Sequence, residues 1–397
     1  MRIIGKLDGL ELLGFILVLC IVFSIVNGIT LLTSFLIGCT FIYTAVLYIW
    51  KLTNHKVVSS QNHLIVFSVV IVLINITISG FGDFNYYKKA IMYICTLLLL
   101  VYNSNTKVSF RSVWCIILLN VLIGLLYVLS YKQGFDLYDG EMLLTFNFSN
   151  PNQTGLFIFT TFLYILLPAI YILESPQLLK KILVLALLVP LSIFLYKILT
   201  LTGCRSAIMA VFVFGFLTIY DYLRRGKKWM KKWMIALITV LPFVFVFIYI
   251  SWAPLITFDV SFGIENSGKS AITRLSIWEP IVNNFFHYFM FGDYYGISNG
   301  TGVSQMHNTH LDVYASYGLL TLILFIVLLR KILWKTYVNT STRFQRLALY
   351  AFISSMVIGT FEASYVAGSG GLFILTNGFI LLANCNLDEG PTGKLRL

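Results

Sequence analysis

Twelve apolar stretches dominate this chain, near 10–27, 29–50, 63–80, 90–102, 112–130, 153–173, 182–200, 205–222, 233–252, 310–329, 346–365 and 370–384. A bilayer span needs roughly 20 mostly apolar residues, so a dozen spans would use about 240 positions. The chain has 397 residues and is 58% hydrophobic, so it can meet that demand. Only 11% of its residues are charged, against about 25% in soluble domains. These figures exclude a soluble protein. They predict an all-α, polytopic integral membrane protein with about twelve transmembrane helices, forming a single transmembrane domain over 1–397. No apolar run precedes a small-residue cleavage site, so the first span is expected to be retained.

The formal charge of +12 does not point to nucleic acid, whose binders gather basic residues on a solvated domain. It reports orientation instead, because Lys and Arg accumulate in cytoplasmic loops. With the N-terminus inside, 21 of the 28 basic residues fall in inner segments. The outer segments hold Lys88, Lys89, Lys132, Lys197, Arg205, Lys269 and Arg274 together with ten of the sixteen acids. Inside is then +15 and outside −3, which predicts that both termini are cytoplasmic. The six cysteines stand singly, without CxxC spacing, and read as small packing residues. Two outer loops are uneven, 131–152 and 253–309. The second lies between helices 9 and 10, begins directly after Trp252, and holds Trp278 and FFHYFMF at 285–291. It is expected to fold as short interfacial helices carrying part of a functional site.

A base facing outward on a membrane helix is not an orientation anchor. Arg205, in LTGCRSAIM, has two readings. It either snorkels or pairs with an outer acid, or it forms an anion site, since a planar guanidinium matches phosphate oxygens. Lys197, at the same corner, adds a second charge. Arg274 opens RLSIWEPIVNNFFHYFMFG, where Trp278, four residues on, would share its helical face and Pro280 suits a first turn. His307 precedes the tenth span in SQMHNTHLDVYASYGLLTLILF. An imidazole there either caps the helix or accepts a proton near neutral pH. His310 is three residues on, and residue type alone does not say which of the two acts. No third ligand at motif spacing and no DxD pair is found in the outer loops, so neither metal nor other cofactor is expected.

His307-Asn308, nine residues and then Gly318-Leu319-Leu320-Thr321 resemble the signature of the O-antigen ligase and O-antigen polymerase superfamily. RLSIW and TGCRSA look like that family's two arginine regions, in the same order. Motif support covers about 200–330, and hydropathy and the large outer loop extend the likeness over the chain. One departure is Met209, where members often have Leu. FNFSNPNQTGLF at 146–157 is similar to an Asn-Pro-Asn element of capsular and exopolysaccharide polymerases. Asn150 and Asn152 there either start a helix or hydrogen-bond sugar hydroxyls.

The resemblance implies a GT-C-like membrane glycosyltransferase on the outer face of a bacterial cytoplasmic membrane. Its donor and acceptor would be oligosaccharides on a polyprenyl (undecaprenyl) diphosphate. Arg205 and Arg274 would stabilise the departing pyrophosphate without a metal, and His307 would activate the acceptor hydroxyl. Asn308, Lys197, Trp278, Asn150, Asn152, His310 and Tyr294 would contact substrate. A chain-length regulator or a flippase is the kind of protein partner implied. A polymerase is expected first and a ligase transferring the finished glycan second. A twelve-helix transporter fits less well, because the middle inner loop near 174–181 is short and the halves show no repeat.

Overall fold

The computed structural model describes residues 9–53, 59–78, 84–129, 134–138, 141–148, 151–173, 177–252, 265–293, 306–362 and 373–386. In chain order these form α1 Gly9–Val26, α2 Thr30–Thr53, α3 Ser59–Ile78, α4 Phe84–Asn105, α5 Phe110–Leu129, β1 Phe135–Tyr138 and β2 Glu141–Leu144. Then follow α6 Pro151–Leu173, α7 Leu178–Leu201, α8 Arg205–Leu223, α9 Lys232–Ser251, α10 Glu265–Asn283, a 3-10 turn Phe285–His287, α11 Thr309–Asn339, α12 Arg343–Phe361 and α13 Phe373–Ala383.

A helix runs through each of the twelve apolar stretches. Among the described residues seven helices are long and apolar enough to cross a membrane, in α2, α6, α7, α8, α9, α11 and α12, and four more apolar stretches are shorter. The chain is therefore a mainly helical, multi-pass membrane protein. α12 is the hub, packed on α8, α13, α6 and α9. α7 lies at the margin, where Leu178, Leu179, Leu187 and Ile193 are each at least 66% exposed. An exposed apolar surface of that size needs an apolar solvent.

Two features depart from the expectations read from the sequence. β1 and β2 pair antiparallel, Phe135 with Leu144 through Tyr138 with Glu141, in a stretch expected to be a loop. Only Asp139 and Gly140 separate them, and Asp-Gly is a strong hairpin signal. α10 is longer than the short helices expected, and Arg274 lies at its middle. Pro280 falls in its last turn, not a first turn. It is exposed there, and few later residues depend on an unbroken ladder.

α11 is not one continuous helix. Gly318 interrupts it at φ +86°, ψ 172°, a region open essentially to glycine alone. The 289–293 segment crosses the break: Asp293 N–H donates to Ala315 O at 2.8 Å and Leu319 N–H to Phe289 O at 2.9 Å. Asn75 Nδ2 and Thr321 Oγ1 donate to Tyr317 O at 3.0 and 2.9 Å. Irregular backbone within a span is tolerated when its polar groups are satisfied in this way. A Cβ on Gly318 would sit 2.3 Å from Met290 O. Gly318→Ala is therefore expected to cost about 1–3 kcal/mol from the backbone alone. A melt of the detergent-solubilised protein checks this, and a wild-type Tm would contradict it.

At the opposite end of the bundle, fully buried Asp221 of α8 accepts from Arg346 Nε at 2.9 Å and Tyr350 Oη at 3.0 Å, with Arg343 Nε at 3.5 Å. This network ties α8 to α12. Pairing and hydrogen bonding are what let such a carboxylate stay buried.

Candidate functional site

The start of α6, the start of α8, the start of α11 and the end of α12 meet at one end of the bundle, and Glu362 is their common point. Glu362 follows the last turn of α12, its N–H bonded to Ile358 O at 2.8 Å. Its carboxylate accepts from Asn152 Nδ2 and lies 3.1 and 3.2 Å from His307 Nδ1. Thr309 Oγ1 donates to its main-chain oxygen at 3.1 Å. The carboxylate is about a tenth exposed and the imidazole about a quarter.

His307 takes φ +47°, a conformation few side-chain-bearing residues adopt. Both neighbours are pinned. Met306 N–H donates to Asp312 Oδ1 at 3.1 Å, and Met306 O accepts from Trp278 Nε1 at 2.6 Å. Asp312 is itself held by Lys89 at 2.7 Å, so this outward lysine serves a structural pair. Asn308 caps α11 by accepting from Leu311 N at 2.8 Å, and its Nδ2 donates to Pro242 O at 2.8 Å and Thr360 O at 2.9 Å. A strained residue over-determined on both sides is a mark of a functional position.

A carboxylate only accepts, so His307 Nδ1–H donates to Glu362, and in the neutral ring Nε2 keeps the lone pair. Burial lowers the basicity of His307, but the hydrogen bond and charge of Glu362 outweigh it and hold the pKa above its ordinary 6.5. Arg274 pulls the other way. Its guanidinium lies 5.6 Å from the Phe361 ring centroid, beside Glu362 in sequence, and its field reaches Cys204 as well as His307. The two arginine regions thus arrive at one place. Cys204 immediately precedes α8, its Sγ 4.0 Å from Asn152 O. Burial pushes its thiol up to about 11, which leaves no thiolate nucleophile at neutral pH.

The other residues singled out from sequence divide. Asn152 joins the cluster through Glu362. Arg205 is the first residue of α8, with an exposed side chain. Lys197 is exposed on α7 and makes no ion pair with the described residues. Asn308 is spent on the cap and two carbonyls. Trp278 is fully buried, and its ring meets Tyr249 at 5.2 Å, so it anchors Met306 and offers no open face. His310 is fully buried and donates Nε2–H to Thr239 O at 2.8 Å. Asn150 and Tyr294 lie outside the described residues.

Sequence reasoning missed Glu362 and Asp312. Both belong to the ten outer acids, and the question put to Arg205 and Arg274, why a charge stands at that end of a span, applies to them equally. Among the described residues no three His, Cys, Asp or Glu side chains form a ligand set for a metal. No protein-family model matches the chain, and no curated protein matches it in sequence.

Proposed function

We propose that this chain is a bacterial polysaccharide polymerase, crossing the cytoplasmic membrane twelve times with a GT-C-like arrangement and both termini inside. It transfers a growing glycan from a polyprenyl diphosphate carrier onto the next lipid-linked repeat unit at the outer face. The observation carrying this reading is the His307–Glu362 pair within the field of Arg274, at the end of the bundle where Arg205 opens α8.

In the transfer the acceptor hydroxyl oxygen bonds to C1 of the donor sugar. The C1–O bond to phosphate breaks, and its electron pair leaves on the diphosphate. The hydroxyl proton passes to His307 Nε2, while Glu362 holds the ring's tautomer and stabilises the imidazolium that forms. Arg274 and Arg205 balance the charge growing on the leaving group, the kind of preorganised electrostatic contribution that is usually largest.

The same face of α8 supports a lipid donor. Met209, Phe212, Phe216 and Ile219 follow Arg205 at spacings of four, three, four and three, and each is at least 53% exposed. A diphosphate at Arg205 would place a polyprenyl tail along that stripe.

The test incubates purified protein with synthetic polyprenyl-diphosphate-linked repeat units. A ladder of lengths with release of free polyprenyl diphosphate is the expected result. A single transfer to a different acceptor without a ladder would instead indicate a ligase, and solute movement without glycosidic bonds a transporter.

Glu362→Gln has a distinct expected signature. His307 must be unprotonated to accept the proton, so kcat/KM rises with pH through a pKa above 6.5. Removing the Glu362 charge lowers that pKa, so the acid limb moves to lower pH while the plateau falls roughly 10²-fold or more. A pH–rate profile of the variant checks both, and an unmoved limb would contradict the pairing.

A further inference from the structure

A second polar site lies at the far end of the bundle from His307, between the end of α4, the end of α11, the start of α12 and the end of α13. It is a cavity of about 350 Å³ whose lining includes Lys107, Lys335, Asn105, Asn339, Ser341 and Asn384, with no carboxylate among its lining residues. The part of α11 beyond Gly318 runs about 31 Å at 1.5 Å per residue, so this cavity is separated from the His307 cluster by a full span.

The two lysines are the unusual feature. Lys335 is half-buried, and its ammonium donates to the neutral amide oxygen of Asn105. No carboxylate among the described residues pairs with it or with Lys107. An ammonium drawn partly out of water is costly unless a counter-ion meets it, and a second lysine on the same cavity adds repulsion. One anion seated between them resolves both costs. Lysine meets phosphate as a point charge, with neutral hydrogen-bonding groups completing the shell. Basic pockets between membrane helices take phosphate headgroups on this principle, and the volume lies within the range of small-ligand sites.

We propose that this cavity binds a phosphate-bearing anion, held by Lys335 and Lys107 with the Asn105 and Asn339 side chains around them. The phosphate belongs either to a lipid headgroup or to a small phosphorylated solute. The proposal stands apart from the catalytic reading and survives its failure.

The test uses the purified full chain in neutral detergent with two probes. One is sn-glycerol 3-phosphate, read as a rise in Tm. The other is phosphatidylglycerol against phosphatidylcholine, read as lipid retained in native mass spectrometry. A Tm rise identifies a soluble phosphorylated ligand, and phosphatidylglycerol retention without it identifies a lipid headgroup. In either case Lys335→Met and Lys107→Gln are each expected to weaken binding at least tenfold, and Lys335→Arg to preserve it. Lys107 is exposed, so its variant serves should Lys335→Met fail to fold. The proposal is overturned if neither probe binds, or if both lysine variants bind as wild type does. It is also overturned if binding appears only after Asp388→Asn and Glu389→Gln, since those carboxylates, two and three residues past Asn386, would then be the counter-ions.

Discussion

His307→Ala is expected to abolish chain extension, with turnover falling on the order of 10²–10⁴-fold, while the protein reaches the membrane at its usual level. The variant removes an imidazole that touches the Glu362 carboxylate and keeps part of its surface open, within the field of Arg274. Folding should survive it. The bonds that shape the loop belong to its neighbours, Met306 and Asn308, and replacing a side chain at φ +47° with alanine adds no bulk. His307→Gln sharpens the test, because an amide can hydrogen-bond Glu362 but cannot carry the proton. Ladder length and released carrier, assayed beside membrane abundance, separate lost chemistry from lost protein. A wild-type ladder from either variant would contradict the assignment.

Arg274→Ala is expected to lower turnover by roughly 10²–10³-fold, the usual effect of deleting one preorganised group that stabilises leaving-group charge. Arg274→Lys should recover only part of this, since an ammonium lacks the planar fork that grips two phosphate oxygens. The loss should fall on kcat more than on KM, because charge on the diphosphate is greatest in the transition state. A second signature follows from its neighbourhood. Arg274 lowers the basicity of His307, so the alanine variant should move the acid limb to higher pH, opposite in direction to Glu362→Gln. Steady-state kinetics across pH read both effects, and a loss confined to KM with an unmoved limb would contradict the role.

The helices were legible because each span must satisfy its own backbone hydrogen bonds and show an apolar surface to lipid, and the sequence carries both demands in plain runs. The hairpin at 135–144 offered only its Asp-Gly turn as a signal, since two four-residue strands leave little periodicity to read. The break in α11 was not legible. Gly318 was visible as the end of a motif, but its reason is the backbone of Met290 lying against it, a contact between segments far apart in sequence. In the candidate site, His307 and Arg274 were found because outward charges and titratable groups at a span's end are conspicuous. Glu362 escaped because it falls inside the apolar stretch 346–365 and figures there only as one of ten outer acids. Only the fold brings it to the histidine from 55 positions away. Asn308 and His310 show the opposite difficulty. Their residue types suit ligand contact, yet burial assigns one to a helix cap and the other to a carbonyl of α9.

The account stands on a diphosphate held by outward arginines beside a carboxylate-supported imidazole. The most direct measurement is an experimental structure of the protein bound to a polyprenyl diphosphate-linked repeat unit. The expected result is diphosphate density against Arg274 and the first turn of α8, with an acceptor hydroxyl about 3 Å from His307 Nε2. Diphosphate density anywhere outside the space shared by Arg274, Arg205 and His307 would contradict it.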